Sequence, residues 1–241
     1  MGDIRKIFVL IGLIFLLGVP ANSLELENNP DECTYIINNI ENPEDKELAY
    51  FFRGRYYFEK KEYKKAIPDF TNSIKLAKPN SEYQGESYAY RAICRMMLDE
   101  HYSAIDDATK AIKIGSVQNK YGFSEWYERS YYTRGISYYY LKKYSAAISD
   151  FSHYINKVSP IWNDCDPTIA LFLGNAYMFR VDSIIKSEAI NSYDDIVGLF
   201  NDMQSSINIY SELNMPEAAN FKITAFEWLN DLNSALVGGA E

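Results

Sequence analysis

Histidine is nearly missing from this chain of 241 residues, with only His101 and His153 to supply imidazoles. Cysteine is scarce as well: there are three, and none falls in a C-x-x-C spacing. No H-E-x-x-H, G-x-G-x-x-G or P-loop occurs, so metal, flavin and nucleotide find none of their usual footholds and no cofactor is expected. Basic side chains are outnumbered 24 to 33, for a formal net charge of -9. That balance argues against nucleic acid as a main partner, because displacing the counterions of a polyphosphate takes clustered Lys and Arg. No strand-like alternation competes with helical periodicity. What is plentiful is apolar surface: 47% hydrophobic against 24% charged residues is the make-up of a chain that buries a core. The length suits one ordinary domain or a short repeat array.

The N-terminus reads as a secretory leader. Arg5 and Lys6 run into Ile7 to Leu17, broken only by Gly12, and then into Gly18-Val19-Pro20-Ala21-Asn22-Ser23. The small residues Ala21 and Ser23 predict cleavage after Ser23. The apolar run is far short of the ~20 residues a bilayer needs, so no membrane span is expected after cleavage. Losing Asp3, Arg5 and Lys6 with the leader takes the formal charge from -9 to -10. The expected product is soluble, acidic and secreted or periplasmic. Export permits disulfides, yet three is an odd number. Cys33, on a stripe with Ile36, Ile37 and Ile40, and Cys94, between Ile93 and Met96 on either side, read as small buried hydrophobes. Cys165, in the loop Trp162 to Asp166, is the thiol expected to be exposed, and a Cys33–Cys165 bridge is the less favoured alternative.

Three segments repeat. The first holds Gly54-Arg55-Tyr56-Tyr57, then Tyr63-Lys64-Lys65-Ala66-Ile67-Pro68-Asp69-Phe70. The third holds Gly135-Ile136-Ser137-Tyr138, then Tyr144-Ser145-Ala146-Ala147-Ile148-Ser149-Asp150-Phe151. The second puts Ala92 in the glycine place and keeps Ala104-Ile105-Asp106-Asp107-Ala108. Small residues at these points let two helices of a hairpin approach, while Phe70 and Phe151 fill the space between hairpins. Each hairpin leaves an apolar face that a neighbour must cover. A fourth, degraded copy starts at Leu173-Gly174-Asn175-Ala176-Tyr177. Its second helix is delayed to Ile196, Phe200, Met203, Ile207 and Tyr210. Asn29-Pro30, Asn42-Pro43 and Asp166-Pro167 mark helix starts, and Ser81 with Gln84 and Ser192 with Asp195 look like capping pairs.

These segments resemble the tetratricopeptide repeat family. The resemblance implies an all-α solenoid of helical hairpins. The predicted organisation is a leader over 1–23, an N-terminal segment over 24–46 with a short capping helix at 30–41, three repeats over 47–161, a divergent fourth over 162–213, and a capping helix and tail over 214–241. Ala66 to Ala104 spans 38 residues and Ala104 to Ala147 spans 43, against a family period of 34. The surplus falls at Asn80 to Gly85 and Gly115 to Tyr127, so the stack is expected to be irregular.

The resemblance also implies a concave surface lined by the first helix of each hairpin and used to grip a peptide. Carried over residue by residue, the lining is Phe51, Arg55 and Phe58, then Ala89, Ile93, Met96 and Met97, then Tyr132, Ile136, Tyr139 and Tyr140. The fourth copy adds Leu171, Asn175, Met178 and Phe179. Methionine and aromatics favour a polypeptide partner with an apolar face. Phe51 and Ile93 stand where the family's clamp for C-terminal carboxylates needs Lys and Asn, which argues against that mode. The leading expectation is therefore an exported, non-enzymatic interaction module. The rival is a structural or self-associating solenoid whose groove is filled by its own segments, 216–236 or 24–32. A distant third is a hydrolase using a carboxylate pair such as Asp106-Asp107. His101 and His153 read as structural, His101 standing where the other copies have Tyr63 and Tyr144, and the equivalent slot shared by Asp69, Asp107 and Asp150 reads as solvated or helix-pairing.

Overall fold

The computed structural model describes residues 29–118, 124–190 and 192–238. The leader 1–23, and with it the predicted cleavage site, lies outside these residues. Among those described, every regular element is helical, in agreement with the all-α expectation. The chain divides after Leu141 into two compact units.

The first unit holds six helices: α1 (Pro30–Asn39), α2 (Pro43–Glu59), α3 (Tyr63–Leu76), α4 (Glu82–Met97), α5 (His101–Gln118) and α6 (Glu125–Tyr140). Their starts follow local chemistry. Asn29 and Asn42 accept hydrogen bonds from the backbone N–H of Glu32 and Glu44, each at 3.0 Å, and a proline opens each helix where an N–H would go unused. Ser81 accepts from the Gln84 N–H, but the Gln84 amide reaches back to Asn80 rather than to Ser81. Helices α2 and α4 stop in the same way. The Glu62 N–H bonds the Tyr57 carbonyl and the Lys61 N–H that of Phe58, and the Glu100 and Asp99 N–H groups do likewise to Arg95 and Met96. The left-handed residue in each turn is not glycine but Lys61 (φ 60°) or Asp99 (φ 61°).

Close approach inside the hairpins falls where the small residues predict. A Cβ on Gly54 would meet the Phe70 ring at 2.9 Å, and Ala66, Ala92 and Ala104 are fully buried. Helices α2 and α4 each touch their own second helix, the preceding second helix and a neighbouring first helix. The surplus of the second period goes partly into helix length, since α5 runs to Gln118.

The second unit holds α7 (Tyr144–Val158), a 3-10 turn (Trp162–Asp164), α8 (Pro167–Lys186), α9 (Tyr193–Glu212) and α10 (Pro216–Gly238). Asp166 caps α8 through the Thr168 N–H at 2.7 Å, and Ser192 with Asp195 forms a complete capping box on α9. Gly174 lets the Tyr210 ring close on α8, where a Cβ would meet it at 2.5 Å. Among the described residues α8 alone is long and apolar enough by length and composition to cross a membrane, but most of it is buried. Cys33 and Cys94 are buried, as small hydrophobes are, and Cys165 is half-buried.

Candidate functional site

The strongest repeated constellation involves residues that the groove assignment left aside. Arg53 on α2 makes a two-pronged pair with Asp69 on α3, Nε to Oδ2 at 2.8 Å and Nη2 to Oδ1 at 2.7 Å. Its Nη1 donates to the Thr34 hydroxyl of α1 at 3.0 Å. Arg91 on α4 repeats this with Asp107 on α5, both contacts at 2.8 Å, and with Thr71 of α3 at 2.9 Å. In the second unit Arg180 on α8 pairs with Asp202 on α9 at 2.8 and 2.6 Å and reaches Ser152 of α7 at 3.2 Å. Arg134 on α6 donates to Thr109 of α5 at 3.2 Å. The hydroxyl residues Thr71, Thr109 and Ser152 each lie two positions after an aspartate of the repeated slot.

One arginine thus holds its own hairpin together by charge and reaches the preceding second helix by a hydrogen bond. Guanidinium suits both tasks because its fork offers parallel donors to a carboxylate while another nitrogen remains for the hydroxyl. Each arginine also lies over a tyrosine three residues earlier on its helix: Tyr50, Tyr88, Tyr131 and Tyr177, at 5.7, 5.4, 5.4 and 5.6 Å from the ring centre. A run Tyr-x-x-Arg, followed sixteen residues after the arginine by Asp and two later by Thr or Ser, was available in the sequence at 53/69, 91/107 and 134/150. In the fourth copy the arginine is Arg180, not a neighbour of Gly174, and the separation stretches to 22 residues.

The ladder also disposes of the carboxylate pair. Asp107 is buried between Arg91 and Arg95, whereas Asp106 is exposed and bonded to Lys110 at 2.7 Å. Adjacent in sequence, the two face different surroundings and share no site. Asp195 is occupied by its capping box. Among the described residues no three His, Cys, Asp or Glu side chains gather to hold a metal ion.

The groove assignment needs correction at most of its positions. Phe51, Phe58, Ile93, Met96, Tyr132, Ile136, Tyr139, Met178 and Phe179 are buried, as are Ala89, Leu171 and Asn175. A first helix of this kind is packed on several sides at once, so its apolar positions are consumed by neighbouring helices. Phe51 has ring contacts with Phe70, Tyr83 and Tyr90; Phe179 stacks on Phe151 at 5.8 Å; the Tyr210 hydroxyl donates to Asn175 Oδ1 at 2.8 Å. Arg55, Met97 and Tyr140 are half-exposed. The Arg55 guanidinium lies over the Phe51, Phe52 and Tyr90 rings at 5.7, 6.0 and 5.9 Å. Tyr140 stacks on His101, rings 4.9 Å apart and nearly parallel. Burial pushes the His101 imidazole below its ordinary value, with Asp99 pulling the other way.

Over 103 residues the chain is 29% identical to tetratricopeptide repeat protein 4 of Bos taurus, and over 104 residues 29% identical to that of Homo sapiens. Over that stretch the chain is similar to tetratricopeptide repeat proteins. Each alignment covers 42% of this chain, and 26% and 27% of the two relatives, so the chain spans about a quarter of the length of the tetratricopeptide proteins it matches. No protein-family model matches the chain. Among solved structures it is similar to BtubC of P. vanneervenii, with a TM-score of 0.49 and 11% identity over 90% of this chain and 94% of that one.

Proposed function

We propose that this tetratricopeptide array is an exported, non-enzymatic interaction module that holds a polypeptide against the first helices of its hairpins. The observation that carries this reading is the half-exposed set Arg55, Met97 and Tyr140 on three successive first helices, with Arg55 lying over three aromatic rings. A cation on an aromatic bed presents a peptide with both charge and flat apolar area, and methionine adapts to whatever side chain arrives. The repeated polar residues are occupied in the ladder, which supports a binding role over acid–base chemistry. The likeness to tetratricopeptide proteins supports the same class, and the leader of residues 1–23 supports export.

The test is affinity capture from an extract of the native compartment, with the parent chain beside an Arg55→Glu/Met97→Glu variant whose fold is verified by circular dichroism. A polypeptide held by the parent and lost by the variant is the expected result; equal capture by both overturns the surface assignment. Tyr132 and Tyr139 do not serve this purpose, because their truncation opens the core. N-terminal sequencing of the native protein should begin at Leu24, and an intact leader would overturn export.

A further inference from the structure

The arginine ladder has an unfinished end. Helix α1 has only ten residues, yet it repeats the second-helix half of the motif: Glu32-Cys33-Thr34 stands where Asp69-Phe70-Thr71 stands in α3. Hydrogen bonding sets that register. The Thr34 hydroxyl donates to the Pro30 carbonyl and accepts from Arg53, just as the Thr71 hydroxyl donates to the Ile67 carbonyl and accepts from Arg91. Cys33 is as completely buried as Phe70, and α1 packs on α2 as α3 packs on α4. Helix α1 is therefore a second helix for which the described residues supply no first helix. Beside it an open cleft of about 270 Å³ is lined by Ile36, Ile40, Asp45 and Leu48. Glu32, at the ladder's acid position, is exposed, whereas Asp69 is buried under Arg53.

We infer that this end of the array is a docking slot for a basic amphipathic helix of a partner protein, whose arginine pairs with Glu32 and whose apolar face fills the cleft. The chemistry of the occupant follows from the register and the charge. At each internal position where the structure shows the acid, a first helix meets it with an arginine. The rim here is acidic, with Asp31, Glu32, Glu41 and Asp45 all exposed, so a basic helix is attracted and an acidic one repelled. The inference rests on the proposed removal of the leader: the residues then left before α1, Leu24 to Asn28, carry Glu25 and Glu27 and no cation, the wrong sign for the slot. The floor formed by Ile36, Ile40 and Leu48 takes apolar residues at helical spacing. This inference stands apart from the surface around Arg55 and does not depend on it.

The probe is a synthetic peptide of residues 82–98 carrying Glu82→Lys and Glu86→Lys, which keeps Tyr88 and Arg91 in first-helix register and makes a stretch of two acids and two arginines net basic, labelled with a fluorophore and titrated with the leader-free chain by fluorescence anisotropy. Saturable binding is expected, weakened at least tenfold by Glu32→Arg in the chain or by Arg91→Glu in the peptide, and recovered when the two reversed charges are combined. Glu32 is exposed, so its replacement leaves the fold intact, which an unchanged melting midpoint verifies. Absence of binding to the parent chain overturns the inference, and so does binding that neither charge reversal moves. Self-association of the parent chain that Glu32→Arg abolishes assigns the slot to a second copy and overturns the partner helix as its occupant.

Discussion

At the scale of single residues, the buried pairs between arginine and aspartate dominate. Asp107 is fully buried and receives Arg91 and Arg95 together. Removing one member of such a pair strands the other, at a cost of about 3–5 kcal/mol. Arg91→Ala and Asp107→Ala should each lower stability in urea unfolding by about that amount, while the double replacement falls well short of their sum. Additive losses would show that the pair is not coupled. His101 responds to pH. Its imidazole is depressed below 6.5 by burial, so the folded state prefers it neutral. Its contribution is complete above the ordinary value and is lost as pH falls through 6.5 towards the folded value. The melting midpoint should therefore drop as pH falls from neutrality through 6.5, and His101→Tyr, the residue found at positions 63 and 144, should flatten that drop. An unchanged slope in the variant would place the titrating group elsewhere. The thiols differ in reach: Cys33 is buried and pushed up to about 11, Cys94 is buried and pushed higher still, and Cys165 is half-buried. Mass spectrometry after brief alkylation of the native protein should find the label on Cys165 first.

At the scale of the element, glycine means opposite things in α2 and α9. Gly54→Ala drives a methyl group into the Phe70 ring, which is completely buried and stacked on Tyr90 with 5.4 Å between centroids. The expected loss is about 1–3 kcal/mol. A Cβ on Gly198 meets nothing within 4 Å, so Gly198→Ala should gain about 0.5–1 kcal/mol from helix propensity alone. Thermal unfolding of the two variants checks both signs. The same contrast explains what could be read in the sequence. Helix starts were legible because a cap is local: Asn29, Asn42, Asp166 and Ser192 need only the next few residues. The close approach at Gly54 was legible because small residues recur at one spacing. The surface was not, because apolar periodicity marks a buried face without saying which helix buries it. Phe51, Ile93 and Tyr132 satisfy the pattern of an inner wall equally well when neighbouring helices have already covered them. The ladder was legible only in half: helix-pairing was one of two readings of the aspartate slot and holds at Asp69 and Asp107, but the arginine partners went unnamed because aspartate in a helix usually faces water, and the choice is decided only by the arginines that fold against it.

At the scale of the molecule, an excess of acid is distributed with a purpose. Carboxylates in the repeated slot are neutralised inside the array, and those on α1 are left on its surface. Binding of a basic helix to that end should therefore weaken steeply as salt rises, whereas the internal pairs, shielded from ions, should keep the fold's melting midpoint nearly constant over the same range. The shared arginine has another outcome. Because every first helix reaches backward to a hydroxyl on the same side of the preceding second helix, the seam between copies has a common fitting. Deleting residues 82–124 moves Arg134 into the place of Arg91, where Thr71 is ready to receive it. The shortened chain should still fold, since its new joint uses the old parts. An array with such interchangeable couplings can gain or lose a copy by recombination without inventing a new interface, so changes in repeat number are easier to reach than changes in the repeat itself.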